Sequence, residues 1–225
     1  MTFSILGFCK KSKMTGVAIT TSSIAVGSRC PWVRASSGAV STQNITDPSI
    51  GNEILDKLEN GDNSEQALKK VIKNRRNIEY RQVIVIDING KSSHYTGKKI
   101  LGRNSVNIGT NCIAAGNLLN DPLLTKVMTD CFMKNENMHI AENLINSLLS
   151  GVKFGGEEGP THSSALLVAY EHSWPLVDLR VDWSEGCPVN ELKKLWENYK
   201  PQMNDYILRA IDPSNAPSYG VPGDK

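Results

Sequence analysis

The spacing of apolar and polar positions changes several times along this chain, and each change predicts a change of secondary structure. Runs of apolar and β-branched residues predict strands over residues 2–9, 16–26 and 33–43. Apolar positions then recur every three or four residues over 48–61 and 63–74. The two segments are joined by only one or two residues, so they predict a helical hairpin.

The second half of the chain repeats this order. It predicts strands over 81–87, 91–97 and 106–116, helices over 122–133 and 138–150, strands over 161–171 and 176–182, and a helix from Pro188 that Pro201 interrupts and 202–211 can continue. Local signals agree with these bounds. Asn63 and Gln66 have the spacing of a capping box, and Asn89-Gly90 is typical of a two-residue hairpin turn.

Groups of strands therefore alternate with pairs of helices, which is not the strict alternation of a parallel sheet. Two antiparallel sheets stacked face to face, with helices on both outer faces, would bury every apolar face. The predicted fold class is α+β, as a four-layer αββα sandwich. We expect one domain over residues 1–211 and an irregular tail over 212–225. Apolar residues of the last helix (Leu192, Leu195, Trp196 and Tyr199) either pack on the parent sheet or bury a homodimer interface.

Composition narrows the function classes. The chain has 225 residues and a net charge of +2, which gives no reason to expect nucleic acid or an anionic membrane as partner. No apolar run reaches the roughly 18–20 residues of a membrane helix, and the amino-terminal run does not resemble a signal peptide. Five scattered cysteines and four histidines form no metal-binding spacing, so we expect no metal, no cofactor and a cytoplasmic location.

Thr2 is the residue with the most distinctive chemistry. A small residue after Met1 normally allows removal of that methionine, which would make Thr2 the amino terminus. A free amino-terminal threonine carries a nucleophilic hydroxyl and, with a pKa near ~7.7–8.0, an α-amine that can accept its proton. The alternative is an ordinary second residue.

The layout resembles the N-terminal nucleophile (Ntn) hydrolases, and the sequence resembles one bacterial group, domain-of-unknown-function family 1028. The matching residues are Thr2-Phe3-Ser4-Ile5, Gly16-Val17-Ala18, Ala25-Val26-Gly27, Pro31-Trp32, Arg34-Ala35, Gly38-Ala39-Val40, Thr42-Gln43, Arg81-Gln82, Thr96-Gly97, Gly116-Asn117, Gly155-Gly156, Ser163 and Leu179-Arg180-Val181-Asp182. The chain departs from the family pattern at 20–23, where a basic residue is common, and at 157–160, where Asp and Arg are common. The first departure argues against a lysine-assisted nucleophile, and the second suggests a different substrate pocket.

The resemblance implies catalytic roles for three residues. Thr2 would be the nucleophile, and Gly116 and Asn117 would end a strand beside it and donate to the oxyanion. The structural alternative for Gly116-Asn117 is a strand-to-helix turn.

Substrate contacts are expected from polar residues on neighbouring segments: Ser22, Arg34, Thr42, Gln43, Glu157, Glu158 and His162. Ser22, with Thr21 and Ser23, can hold the α-amine, and Arg34 can pair with a substrate carboxylate beside Trp32. The acidic pair and His162 flank a glycine-rich loop and can bind a cationic or amide group. Each has a structural alternative, namely a half-exposed strand face, a buried Trp and a surface Arg, a buried polar side chain or a solvated turn.

The leading hypothesis is an amidohydrolase that cleaves a small amide or peptide-like bond through an acyl-enzyme on Thr2. The alternatives are an inactive relative that binds a small molecule or peptide on the same scaffold, and a hydrolase with a cysteine nucleophile. The last has little support, because no histidine lies near Cys9, Cys30 or Cys112 in sequence.

Overall fold

The computed structural model describes residues 1–221. Ten strands follow one another as β1 (Thr2–Phe8), β2 (Thr15–Thr21), β3 (Pro31–Arg34), β4 (Gly38–Asn44), β5 (Arg81–Asp87), β6 (Ser92–Thr96), β7 (Ser105–Gly109), β8 (Cys112–Asn117), β9 (Ser163–Ala169) and β10 (Val177–Val181). The helices are α1 (Ser49–Glu59), α2 (Ser64–Ile72), α3 (Leu124–Lys134), α4 (Ile140–Lys153), α5 (Pro188–Tyr199) and α6 (Met203–Ile211).

The strands form two antiparallel sheets. The first has six strands in the order β10-β9-β2-β1-β8-β7, and the second has four in the order β3-β4-β5-β6. Helices α3, α4 and α5 cover the outer face of the first sheet, while α1 and α2 cover the outer face of the second. The predicted α+β sandwich of four layers is confirmed.

Alternation along β1 shows how the core divides. Leu6 and Phe8 face the second sheet and pack in a cluster that includes Ile84 of β5. Phe3 and Ile5 face the opposite way, into the cluster beneath the helices of the first sheet. By the same period of two, Thr2 and Ser4 point between the sheets, where their hydroxyls need polar partners.

Two predicted strands are in fact hairpins. The segment 33–43 divides into β3 and β4 at a turn where Ser36 has φ of 56°, and 106–116 divides into β7 and β8 at Asn111, with φ of 58°. Single residues in the left-handed conformation reverse the chain there, which the apolar runs concealed. Gly38 begins β4 with φ of 152°, and a Cβ at this position would lie 2.2 Å from the Ile86 carbonyl oxygen.

The helices agree more closely with the sequence predictions than the strands do. Asn63 accepts from the Gln66 backbone N–H and Gln66 from that of Asn63, so the predicted capping box is confirmed. In α5, Leu192 and Trp196 are buried against the parent sheet while Leu195 is 39% exposed. The homodimer stays a prediction.

After α6 the described part of the tail contains only a short 3-10 turn, Pro213–Asn215, and residues 222–225 of the predicted irregular tail lie outside the described residues. Within 1–221, no helix has both the length and the apolar character to cross a membrane.

Candidate functional site

Thr2 is the first residue of β1, an interior strand of the six-stranded sheet. It pairs with Thr21, the last residue of β2, and with Asn117, the last residue of β8. Because neighbouring antiparallel strands end at the same edge, three polar side chains meet there on the face toward the second sheet. Only 5% of Thr2 is exposed. The register therefore holds Thr2 on an interior strand, between β2 and β8.

Two hydroxyl groups converge on the peptide group that precedes Thr2. The Thr2 hydroxyl donates to the Met1 carbonyl oxygen over 2.6 Å, and the Thr21 hydroxyl donates to the same oxygen. The hydroxyl oxygens of Thr2 and Thr21 are 3.0 Å apart. The Thr21 hydroxyl oxygen is also 3.5 Å from that of Ser23, an exposed residue just after β2. The arrangement polarises a carbonyl placed directly against a threonine hydroxyl.

Asn117 lies opposite Thr2 on the other flanking strand and is fully buried. Its Nδ2 atom is 3.4 Å from Oε1 of Gln82, while its Oδ1 atom has no hydrogen-bond partner among residues 1–221. Gly116, one residue earlier, accepts from Nε2 of Gln82 over 3.2 Å through its carbonyl oxygen. Both predicted oxyanion residues are thus at the site, and Gln82 of the facing sheet holds them.

A chain of buried amides links the two sheets just beneath Thr2. Nε2 of Gln43 donates to Oε1 of Gln82 over 2.8 Å, and Oε1 of Gln43 accepts from the hydroxyls of Ser4 over 2.7 Å and Ser41 over 3.2 Å. Gln43 has no exposed surface, so it touches Ser4 rather than the space in front of Thr2. Sequence reasoning gave Gln82 no role, although its match to the family pattern was the available signal.

Glu157 reaches the same edge from a loop. Gly155 and Gly156, with φ of 129° and 62°, turn the chain after α4, and Asn120 donates to the carbonyl oxygens of Gly155 and Glu157. Glu157 then pairs with Leu119 in an isolated antiparallel bridge. The next residue, Glu158, bonds to Leu118 through its backbone N–H, while its side chain is exposed.

The Glu157 side chain is 4% exposed, and neither carboxyl oxygen completes a hydrogen bond within residues 1–221. Burial raises the pKa of this carboxyl to about 8. The Met1 ammonium and the Ser22 backbone N–H favour the charged form, but their effect on the pKa is smaller than that of burial.

His162 and Ser22 lie at the rim of the site. The His162 backbone N–H donates to the Thr21 carbonyl oxygen, and its Nδ1 atom is 2.8 Å from the Ser184 carbonyl oxygen. The imidazole stacks on Trp183 with ring centroids 4.3 Å apart. Ser22 is partly exposed and follows Thr21 directly. His162 therefore shapes the entrance rather than facing the Thr2 hydroxyl.

The structure does not bring two of the expected substrate contacts, Arg34 and Thr42, to Thr2. Arg34 forms ion pairs with Asp56 at 2.7 Å and Glu59 at 2.8 Å on α1. Thr42 lies between two residues that face the first sheet, so its own side chain faces the helices, and it bonds to the Asp47 carbonyl oxygen.

Trp32 packs over α1, since a Cβ at Gly51 would lie 2.1 Å from its ring. Its structural alternative is therefore the better description of this residue. Among residues 1–221, no group of three or more His, Cys, Asp or Glu side chains is placed to hold a metal ion.

Fold and site together define an αββα sandwich protein with a buried threonine at the head of an interior strand. A family model, described as a family of unknown function (DUF1028), matches residues 2–192, and the chain belongs to this family. The resemblance found in the sequence is thereby confirmed at the level of the family.

A solved structure of the same family agrees with this assignment. A crystal structure of protein SPO2555 from Silicibacter pomeroyi, of the same family, is 26% identical, with a TM-score of 0.82 over 88% of this chain and 89% of that chain. Anbu (ancestral beta-subunit) from Yersinia bercovieri is 10% identical, with a TM-score of 0.39 over 91% of this chain and 97% of that chain. No curated protein matches the sequence.

Proposed function

We propose that this protein is an Ntn-type amidohydrolase that cleaves a small amide or peptide-like bond through an acyl-enzyme on Thr2, once Met1 has been removed. The observation that carries the proposal is the position of the Thr2 hydroxyl, which is buried and lies 2.6 Å from a carbonyl oxygen that Thr21 also contacts. In the mature protein a substrate carbonyl would lie near the space that the Met1 carbonyl fills, with its oxygen within reach of the Thr21 hydroxyl.

The reaction needs a base, and the mature residue supplies it. The Thr2 hydroxyl oxygen attacks the carbonyl carbon while its proton passes to the Thr2 α-amine. The tetrahedral intermediate collapses with cleavage of the C–N bond, and the leaving amine takes the proton from the α-ammonium. Water then attacks the ester on Thr2, releases the acid and restores the hydroxyl.

Donors for the developing oxyanion are at hand. The Thr21 hydroxyl already donates to the Met1 carbonyl oxygen, and the Asn117 amide lies on the other flanking strand. Gln82 of the facing sheet, itself held by Gln43, bonds to the end of β8, so the Asn117 amide is oriented before substrate arrives. Preorganised donors of this kind contribute on the order of 3 kcal/mol each to transition-state stabilisation.

Intact mass and chemical labelling test the proposal. The purified protein is first weighed to establish whether Met1 is absent, then incubated with an amide-reactive β-lactone and mapped by peptide mass spectrometry. We expect a single acyl adduct on Thr2 of the chain that lacks Met1. An adduct on another residue would contradict catalysis by Thr2 and indicate a different nucleophile. No adduct, or a mature chain that keeps Met1, would contradict catalysis by Thr2 and favour a binding role.

A further inference from the structure

Met1 lies in a compartment that the loop 157–159 completes in front of Thr2. Asn117 pairs with Thr2, and Leu119, two residues further along, pairs with Glu157. The loop therefore flanks the position that precedes Thr2, rather than Thr2 itself. Gly159 makes room for the Met1 side chain, because a Cβ at Gly159 would lie 2.9 Å from the Met1 methyl carbon.

The same loop buries an acidic group that completes no hydrogen bond within residues 1–221 and that the Ser22 backbone N–H and the Met1 ammonium favour only weakly in its charged form. Glu157 is only 4% exposed, and both of its carboxyl oxygens are inaccessible and without a hydrogen-bond partner among residues 1–221. An unsatisfied buried carboxyl is costly, and such groups are uncommon in folded proteins. A ligand that brings a positive charge to this carboxyl would remove the cost.

We propose that the compartment between Glu157 and Gly159 binds the acyl part of the substrate and that this acyl part carries a free α-ammonium group. The substrate class is then an α-aminoacyl amide, such as a peptide or amino-acid amide with an unblocked amino terminus. This inference rests on the proposed function of Thr2, because it identifies the acyl group that Thr2 would accept.

Met1 itself shows how such a group fits. Its carbonyl oxygen lies at the Thr2 and Thr21 hydroxyls, and its side chain lies over Gly159. Its ammonium is separated from the carbonyl carbon by the α-carbon alone and favours the charged form of Glu157, although the two groups form no hydrogen bond. After removal of Met1, a substrate with the same three groups would place its carbonyl beside the Thr2 and Thr21 hydroxyls, its side chain over Gly159 and its ammonium toward Glu157.

The chemistry balances with water as the co-reactant. Thr2 attacks the aminoacyl carbonyl, the amide C–N bond breaks, and the amine leaves with the proton held by the Thr2 α-amine. The resulting aminoacyl ester is hydrolysed to a free amino acid. Glu157 takes no part in these bond changes, since it binds the ammonium and positions the carbonyl.

Protection of Thr2 from labelling tests the inference without requiring turnover. L-Methioninamide and N-acetyl-L-methioninamide differ only in the blocked amine, and each is added before the β-lactone. We expect the free amine to protect Thr2 at concentrations at least tenfold lower. Glu157→Gln should abolish this difference, while Glu136→Gln, a surface change beside the opposite end of β1, should preserve it.

The outcomes separate the two proposals. If Thr2 is labelled in both proteins and the two amides protect equally, or the acetylated amide protects better, the substrate inference is overturned while Thr2 remains the nucleophile. If Thr2 is not labelled at all, the proposed function fails and the substrate inference fails with it. Labelling of Thr2 in Glu157→Gln also shows that this variant is folded.

Discussion

The hydroxyl oxygens of Thr2 and Thr21 lie 3.0 Å apart across the ladder between β1 and β2. The pairing makes Thr21 the nearest neighbour of the proposed nucleophile from another strand, and its hydroxyl also donates to the carbonyl oxygen before Thr2. Thr21 lies on the second strand, where the family pattern noted in the sequence commonly has a basic residue. Here the group is a neutral donor.

Loss of the Thr21 hydroxyl should therefore lower catalysis. Thr21→Val keeps the shape of the side chain and removes the donor, so we expect kcat/KM for a methionine amide to fall by about 10²-fold. Thr21→Ser should retain most of the activity, because it keeps the hydroxyl. Fluorogenic assays with matched thermal unfolding check this, and equal activity of Thr21→Val and Thr21→Ser would refute the role of the hydroxyl.

Replacement of Thr2 should remove turnover and spare the fold. Thr2→Ala loses the proposed nucleophile, and loss of one member of a catalytic unit typically costs several orders of magnitude in kcat. Thr2→Ser keeps hydroxyl and amine but loses the methyl that restricts the rotamer, so partial activity should remain. The control is Thr15→Ala, a buried threonine at the far end of β2, which should keep full kcat. Turnover by Thr2→Ala at the wild-type rate would exclude Thr2 as nucleophile.

Blocking the amine should have the same effect as losing the hydroxyl. A chain with an amino-terminal tag presents Thr2 as an amide, which cannot accept the hydroxyl proton. We expect no turnover until a protease removes the tag and leaves Thr2 first, and full turnover with a carboxy-terminal tag. Assays before and after cleavage measure this, and an active tagged protein would mean that the base lies elsewhere.

The amide chain between the sheets should contribute to stability. Gln43→Leu would leave the hydroxyls of Ser4 and Ser41 and the Gln82 side chain without their buried partner, so we expect a loss of about 2–4 kcal/mol in unfolding free energy. Gln202→Leu, at an exposed position, should change it by less than about 0.5 kcal/mol. Urea unfolding of both variants provides the comparison, and equal values would show that the chain of amides is energetically neutral.

The sequence predicted most of the fold because its signals are local. Alternation and capping at Asn63 act over a few residues, and both hold in the structure. The hairpin after β5 is also present, but its turn has three residues, 88–90, rather than the two predicted at Asn89-Gly90, because the Asp87 backbone N–H donates to the Lys91 carbonyl oxygen. The hairpin turns at Ser36 and Asn111 were missed because one residue in the left-handed conformation interrupts an otherwise continuous apolar run.

The site was harder to predict from the sequence than the fold, because it depends on strand register and on the distance between the sheets. Thr21 and Asn117 meet Thr2 only because three strands end at one edge, and Gln82 arrives from the facing sheet. Thr42 could have been excluded, because the period of two that places Gln43 toward the first sheet turns Thr42 away from it.

The buried carboxyl of Glu157 should make the stability of the chain that retains Met1 depend on pH. Its pKa is about 8 in the folded protein against an ordinary value of 4.5, so between these values the folded state holds a proton that the unfolded state has lost. Stability should therefore fall as pH rises through this window, by a few kcal/mol at most. Glu157→Gln has no proton to lose at this position and should flatten that slope, so the stability of the variant should increase relative to the wild type as pH rises.

Urea unfolding at about pH 5 and pH 8.5 measures the difference. The protein is produced with methionine aminopeptidase inhibited and is weighed to confirm that Met1 is present. Glu136→Gln should keep the wild-type slope, and an unchanged slope in Glu157→Gln would mean that this carboxyl is already charged in the folded protein.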